Sequence, residues 1–177
     1  MKEEIILAGF GGQGIMLMGK LISYAGMKEG KEVSWMPSYG PEMRGGTANC
    51  TVIVSDKLIP SPMTTQPDSI IVMNLPSFDK FLPQVKSGGT VFLNSTLIEE
   101  DVKRDDIKVI KIPANEIANQ MGNSKIANMV MLGSYIENKD VIKLKTVKNS
   151  LESVLSARNQ DLIDLNLKAL EKGKEYK

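Results

Sequence analysis

Two glycine-bearing stretches hold the residue types able to do chemistry. The first, GFGGQG at positions 9–14, follows the apolar run EIILA and precedes IMLMGKLISYAG. Its glycines at places one, three and six fit G-x-G-x-x-G, a loop that lets a strand turn tightly into a helix and lets backbone approach a phosphate. The helix N-terminus then turns its amides and dipole toward the anion. The second stretch, PSYGPEMRGGTA at 37–48, crowds Tyr39, Glu42 and Arg44 between Gly40, Pro41, Gly45 and Gly46. Arg44 offers a bidentate clamp for phosphate or carboxylate, and Tyr39 a ring and a hydroxyl. Each stretch also has a plainer reading. The first is then a turn kept for helix–strand packing, and the second a surface loop in which Arg44 pairs with Glu42. For the first, the residues favour a phosphate-bearing ligand.

A full dinucleotide is disfavoured. NAD wants an acid at the end of the second strand, and NADP a basic residue there. That strand ends in SWMPSYG, with Glu29 and Glu32 lying before its core. The loop therefore suits an anion or a close backbone contact.

Absences narrow the chemistry further. With no histidine, imidazole triads and His-ligated metals are excluded. One cysteine, Cys50, permits no intrachain disulfide, Fe–S cluster or cysteine zinc site. We assign no catalytic residue and no metal ligand to this chain. A formal charge of +1 argues against a nucleic-acid partner. No run is long enough for a membrane span, and MKEEII carries acids where a signal peptide needs bases, so a cytoplasmic location is expected. Eleven methionines suit core filling, with an adaptable interface as their second use.

The elements that must position these loops follow from periodicity. EEIILA reads as a strand, and 13–29 as a helix with Ile15, Met18, Leu21, Ile22 and Ala25 on one face. GKEVSWMP is a second strand ending at Pro37, with its carboxyl end beside the first glycine loop. TANCTVIVSDKLIP reads as a hairpin turning near Ser55-Asp56. DSIIVMN, SGGTVFLN and DIKVIKIP are further strands, and LPSFDKFLPQV is a short helix. From Ala114 onward the pattern is helical, with Gly133 permitting close helix packing and the charged end KGKEYK free to fray. The whole chain, 1–177, reads as a single α/β domain. It has a Rossmann-like, mostly parallel sheet flanked by helices, a β-hairpin insertion and a helical C-terminal part. Cys50 reads as a buried thiol, Asn128 as a core or inter-subunit contact, and Asn94 and Ser95 as uncharged residues at the ligand edge.

GFGGQGI, then W-x-PSYGPEMRGG, then Ser61-Pro62, then NMVMLG at Asn128–Gly133, together resemble the gamma subunit of 2-oxoacid:ferredoxin oxidoreductases. The similarity runs from Ile5 to about Ile136, and its spacing is similar to the separate-subunit type acting on 2-oxoglutarate or a branched-chain acid. The resemblance implies an enzyme that decarboxylates a 2-oxoacid, 2-oxoglutarate being favoured, passes electrons to ferredoxin and transfers the acyl group to coenzyme A. Thiamine diphosphate and Fe–S clusters would then sit only on partner subunits, one binding thiamine diphosphate and one ferredoxin-like. On that reading Gly11, Gly12, Gln13 and Gly14 line a coenzyme A phosphate, Arg44 adds charge, and Ser38 or Tyr39 helps place the pantetheine or the neighbouring subunit. The rival role for YGPEMRGG is docking the thiamine diphosphate subunits. A free-standing sensor module for coenzyme A or a nucleotide is the alternative function. An NAD(P)-dependent oxidoreductase is weaker, lacking the second-strand acid. A subunit should expose an apolar, Met-bearing surface, which a solitary module should not.

Overall fold

A computed structural model describes residues 1–38, 47–155 and 162–177. β1 (Lys2–Phe10) leads into the glycine loop, α1 (Ile15–Lys28) leaves it, and β2 (Glu32–Ser38) follows. β3 (Thr47–Ser55), β4 (Ser69–Val72), α2 (Leu75–Phe81), β5 (Thr90–Asn94) and β6 (Lys108–Ile112) complete the sheet half. The helical half holds α3 (Ala114–Gln120), α4 (Ala127–Asn138), α5 (Leu144–Lys148), α6 (Leu151–Val154) and α7 (Ile163–Gly173). The six strands lie in the order β2-β3-β1-β4-β5-β6. β1, β4, β5 and β6 are parallel, while β3 runs antiparallel to both β1 and β2. This is the mixed α/β sheet that strand–helix alternation led us to expect.

Period-two alternation divides the core between the two faces of the sheet. Ile5 and Leu7 of β1 join Cys50, Val52 and Val54 of β3 under α1 and α4. Ile6 and Ala8 join Ile70, Val72, Phe78 and Phe81 on the α2 face. β4 is buried throughout, as a central parallel strand must be. α1 comes close to β2 and β3 at Gly19, where an added Cβ would stand 2.6 Å from Cys50 Sγ. Burial pushes the Cys50 thiol up to about 12. Its S–H points at the Ile15 carbonyl, 3.8 Å away, so it is an inert structural thiol as expected.

Three expectations need correction. The hairpin turn at Ser55-Asp56 is absent, because β3 is one straight strand whose Cys50, Val52 and Val54 face the same core. Asp56 ends it by pairing with Lys31 at 3.2 Å, and Pro60 and Pro62 beyond it cannot donate to a ladder. The antiparallel partner is instead β2, in the register Val33↔Val54 and Pro37↔Cys50. Pro37 is tolerated because β2 pairs only with β3 and is an edge strand. Second, the end of β2 is not adjacent to the first glycine loop. β3 separates β2 from β1, with Asn49 standing opposite both Ser38 and Ala8. Third, the C-terminal residues are tied down. The Tyr176 carbonyl accepts from Ser134 Oγ at 2.9 Å and from Asn138 Nδ2 at 2.8 Å.

The methionines divide as a core filler and surface residue would. Met18, Met73, Met129 and Met131 are buried, while Met27, Met36 and Met63 are exposed. No helix among the described residues is long and apolar enough to cross a membrane.

At the amino edge of the sheet, Glu3 is buried and accepts from Ser69 Oγ at 2.6 Å, with Lys139 Nζ at 3.5 Å. Burial outweighs both partners and raises its carboxyl above the ordinary 4.5. Above pH 4.5 the unfolded chain releases this proton before the folded chain does, so this group's share of stability is present at lower pH and declines as pH rises through the raised folded value. Urea titrations across that window should show stability falling more steeply with pH in the wild type than in Glu3→Gln. Parallel curves would refute this.

Candidate functional site

The site is assembled at the carboxyl edge of the sheet, where open α/β folds bind ligands. β1 ends at Phe10 and the chain turns through glycines into α1. Gly14 caps α1 with φ 77° and ψ 21°, and Gly12 has φ 94°; both lie in the left-handed region that favours glycine. Gly14 brings no side chain to accept from the first amides of α1, and no acid stands in the helix's first turn. Among the described residues, the N–H groups of Gly11, Gly12 and Gly14 donate to nothing. Free donors, a helix dipole and no competing carboxylate are the elements of an anion site.

Gln13 braces this loop. Its Oε1 accepts from the Phe10 N–H at 2.6 Å, and its Nε2 donates to the Met73 carbonyl at 3.3 Å. The side chain thus ties the end of β1 to the residue after β4. From the same face of the sheet, Asn128 near the start of α4 donates through Nδ2 to the Gly14 carbonyl at 3.4 Å. Asn128 is 2% exposed, and its Oδ1 has no partner among the described residues. Asn94, at the end of β5, donates to Asn115 Oδ1 at 2.7 Å and likewise leaves its own buried Oδ1 unpartnered.

Between the glycine loop and the turn before α4 lies a cavity of about 210 Å³, bounded by Gly12, Gln13, Asn115, Ser124 and Lys125 among others. Its described lining contains no carboxylate, and Lys125 is its cation. The volume is below the roughly 300–1,000 Å³ of pockets that enclose whole ligands, so it fits one end of a larger molecule. A larger groove of about 650 Å³ along α7 lies away from the glycine loop, and its Lys148 and Glu171 are already paired with each other.

The predicted site residues are therefore only partly gathered. Gly12 and Gln13 line the cavity, Gly14 caps the helix behind it, and Gly11 is exposed on the loop. Ser38 is exposed at the same edge but two strands from β1, a separation of about 10 Å at normal strand spacing. Tyr39 and Arg44 lie outside the described residues, together with the rest of segment 39–46. Sequence reasoning missed Lys125, Ser124 and Asn115, and it assigned Asn128 no contact with the loop. The run SKIANMVMLG showed a helix, but nothing local says that its first turn meets a loop more than a hundred residues earlier.

Together these features define a mixed α/β domain with a candidate anion site at the carboxyl edge of its sheet. The chain belongs to the pyruvate ferredoxin/flavodoxin oxidoreductase family, whose model matches residues 4–176. It is 37% identical over 174 residues to the ketoisovalerate oxidoreductase subunit VorA of Methanothermobacter marburgensis, covering 98% of this chain and 36% of that one. It therefore spans about a third of the length of that relative. It is 35% identical over 179 residues to the 2-oxoglutarate synthase subunit KorC of Methanocaldococcus jannaschii, covering 99% of this chain and 94% of that one. Among solved structures it is similar to the gamma subunit of a keto/oxoacid ferredoxin oxidoreductase from Geobacter sulfurreducens, with TM-score 0.84, 28% identity, and 98% and 96% coverage. It is also similar to the 2-oxoglutarate:ferredoxin oxidoreductase from Magnetococcus marinus with 2-oxoglutarate, coenzyme A and succinyl-CoA bound. There the TM-score is 0.87 at 26% identity, over 98% of this chain and 30% of that one.

Proposed function

We propose that this chain is the gamma subunit of a 2-oxoacid:ferredoxin oxidoreductase and that it holds part of coenzyme A for the acyl transfer. The overall reaction oxidises a 2-oxoacid with coenzyme A to acyl-CoA and carbon dioxide, with two electrons passing to ferredoxin. The observation that carries this reading is the family match over residues 4–176, together with a glycine loop whose Gly12 and Gln13 border a cavity with no carboxylate in its described lining. Coenzyme A carries a pyrophosphate and a ribose phosphate, so it needs such a loop and has no use for the ribose-binding acid that NAD requires. Thiamine diphosphate and the Fe–S clusters belong to partner chains in this reading, because one buried cysteine holds no cluster.

Dependence on partners also has physical support. Phe10 ends β1, and Leu75 and Leu97 follow β4 and β5 at the same carboxyl edge; they are 40%, 37% and 45% exposed. Leu58 and Met63, in the segment after β3, are 81% and 68% exposed. Large apolar side chains left in water at the ligand edge suit a surface that another subunit covers. The acid oxidised is then selected on partner chains; 2-oxoglutarate is our first choice and 2-oxoisovalerate the next.

Tagging the chain in its native host and purifying it anaerobically tests this. Recovery of a thiamine diphosphate subunit and a ferredoxin-like subunit, with 2-oxoacid- and coenzyme A-dependent reduction of ferredoxin, is expected. A solitary protein that binds coenzyme A or a nucleotide would replace this reading with that of a sensor module.

A further inference from the structure

We propose that β2 is an interface with a second copy of this chain, the two strands pairing antiparallel about a two-fold axis beside Ser34. The inference goes beyond the coenzyme A reading and stands without it. β2 is the outermost strand of the sheet, and the direction of its main-chain groups follows from its neighbours. The Asp56 N–H donates to the Met1 carbonyl at 3.0 Å, while the Glu4 and Ala8 carbonyls accept from Asp68 and Met73 on the β4 side at 2.9 Å. The odd-numbered residues of β1 therefore turn toward β3, which makes Leu7↔Cys50 and Ile5↔Val52 hydrogen-bonded pairs. Cys50 and Val52 then face β1, away from Pro37 and Trp35, which stand opposite them on β2. It follows that Val33, Trp35 and Pro37 turn their main-chain groups outward. Pro37 has no N–H to offer, and no described residue bonds the N–H of Val33 or Trp35 on that side.

The two edges of the sheet are guarded differently. β6 carries exposed Lys108 and Lys111 within five residues, a common defence against strand addition. No lysine or arginine stands between Glu32 and Ser38. Apolar side chains flank the open edge instead: Met27 is 57% exposed, Met36 is 38% exposed, and Trp35 is half-buried. A cavity of about 280 Å³ bordered by Tyr24, Met27, Trp35 and Val154 is large enough to receive a side chain from across the edge.

The edge is complementary to itself. With Ser34 opposite Ser34 of the second copy, Val33 of each chain meets Trp35 of the other, and each such pair exchanges both main-chain bonds. An aromatic residue opposite a β-branched one is a favoured cross-strand pair. Glu32 then faces Met36 of the other copy, so no like charges meet on the strands. One step further out, Pro37 comes opposite Lys31, whose N–H is already used on the Gly26 carbonyl at 3.0 Å. The ladder thus ends where neither chain has a donor left to strand. Two six-stranded sheets become one continuous sheet across the axis.

Sedimentation of the full chain over a concentration series, with mild oxidation of cysteine variants in the purified enzyme, tests this. The wild type is expected to dimerise reversibly. Ser34→Lys sets a charge against its own copy and should weaken the dimer about tenfold. Ser34→Cys should form a covalent dimer, because directly opposed residues of a non-hydrogen-bonded pair lie about 4.5 Å apart at Cα, within disulfide reach. Met36→Cys should not, since its two copies are offset by about 13 Å along the strands. Cys50 does not interfere, being buried with its thiol pushed up to about 12. A chain that stays monomeric at every concentration, with no Ser34→Cys cross-link in the purified enzyme, would overturn the inference. Equal cross-linking of Ser34→Cys and Met36→Cys would overturn it as well, as a sign of random collision. Hydrogen exchange slowed at Val33 and Trp35 only when other subunits are present would assign the edge to one of them instead of a second copy.

Discussion

Gly133→Ala is expected to destabilise the protein by about 2–3 kcal/mol, although glycine-to-alanine in a helix ordinarily stabilises by up to about 1 kcal/mol. The sign is set by the crossing of α4 and α7. A Cβ on Gly133 would overlap the Leu170 carbonyl oxygen and stand 2.9 Å from that carbonyl carbon. The contact is reciprocal, since a Cβ on Gly173 would overlap the Val130 carbonyl oxygen. Both obstacles are backbone, so no rotamer change relieves them and α7 must move as a unit. Moving it loosens buried Ala169 and Leu170, and it disturbs the bonds that Ser134 and Asn138 make to Tyr176. For a domain of this size the loss corresponds to a fall in melting temperature of about 4–12 °C. Thermal unfolding of the purified variant decides the matter. A melting temperature at or above that of the wild type would show that α4 and α7 do not cross this closely.

The second large effect is at the glycine loop, where two similar substitutions should differ. Gly12→Ala and Gly14→Ala both place a Cβ at positive φ, which costs about 1–2 kcal/mol. Nothing lies within 4 Å of a Cβ on Gly12. On Gly14 it would overlap Asn128 Nδ2 and stand 2.8 Å from Asn128 Cγ. Asn128 is buried and its Oδ1 is already unpartnered, so pushing its amide off the Gly14 carbonyl strands a second polar atom. That adds about 1–3 kcal/mol, and Gly14→Ala should be the more damaging by that amount. Combining it with Asn128→Ala should recover part of the loss, since the two residues touch. Urea unfolding of the four proteins measures the coupling. Equal costs at Gly12 and Gly14, or strict additivity with Asn128→Ala, would mean that α4 does not close on the loop.

The loop and its neighbours show how far the sequence alone reaches. GFGGQG after EIILA and before an amphipathic run announces strand, turn and helix, because glycine spacing and periodicity are local properties. Apolar runs such as SIIV likewise announce buried strands. The absence of histidine and the presence of a single cysteine limit the chemistry without any fold at all. The motif order was specific enough to indicate the family that the match over residues 4–176 bears out.

Strand order was not legible. TANCTVIVSDKLIP contains a strand and turn residues, but its insertion between β2 and β1 depends on which edges find partners. Pairing is decided by burial across the sheet, which one strand's composition does not encode. That insertion moved Ser38 away from the glycine loop and left the edge beside Gly12 to the turn at Ser124–Ile126. Lys125 and Asn128 look like ordinary helix-start residues until the chain brings them over a hundred positions back onto the loop. Residue types and their spacing determined that this chain could hold an anion at a glycine turn. Only the tertiary structure decided which distant side chains stand around it, because those neighbours are fixed by packing of α4 against the sheet and not by anything within the loop itself.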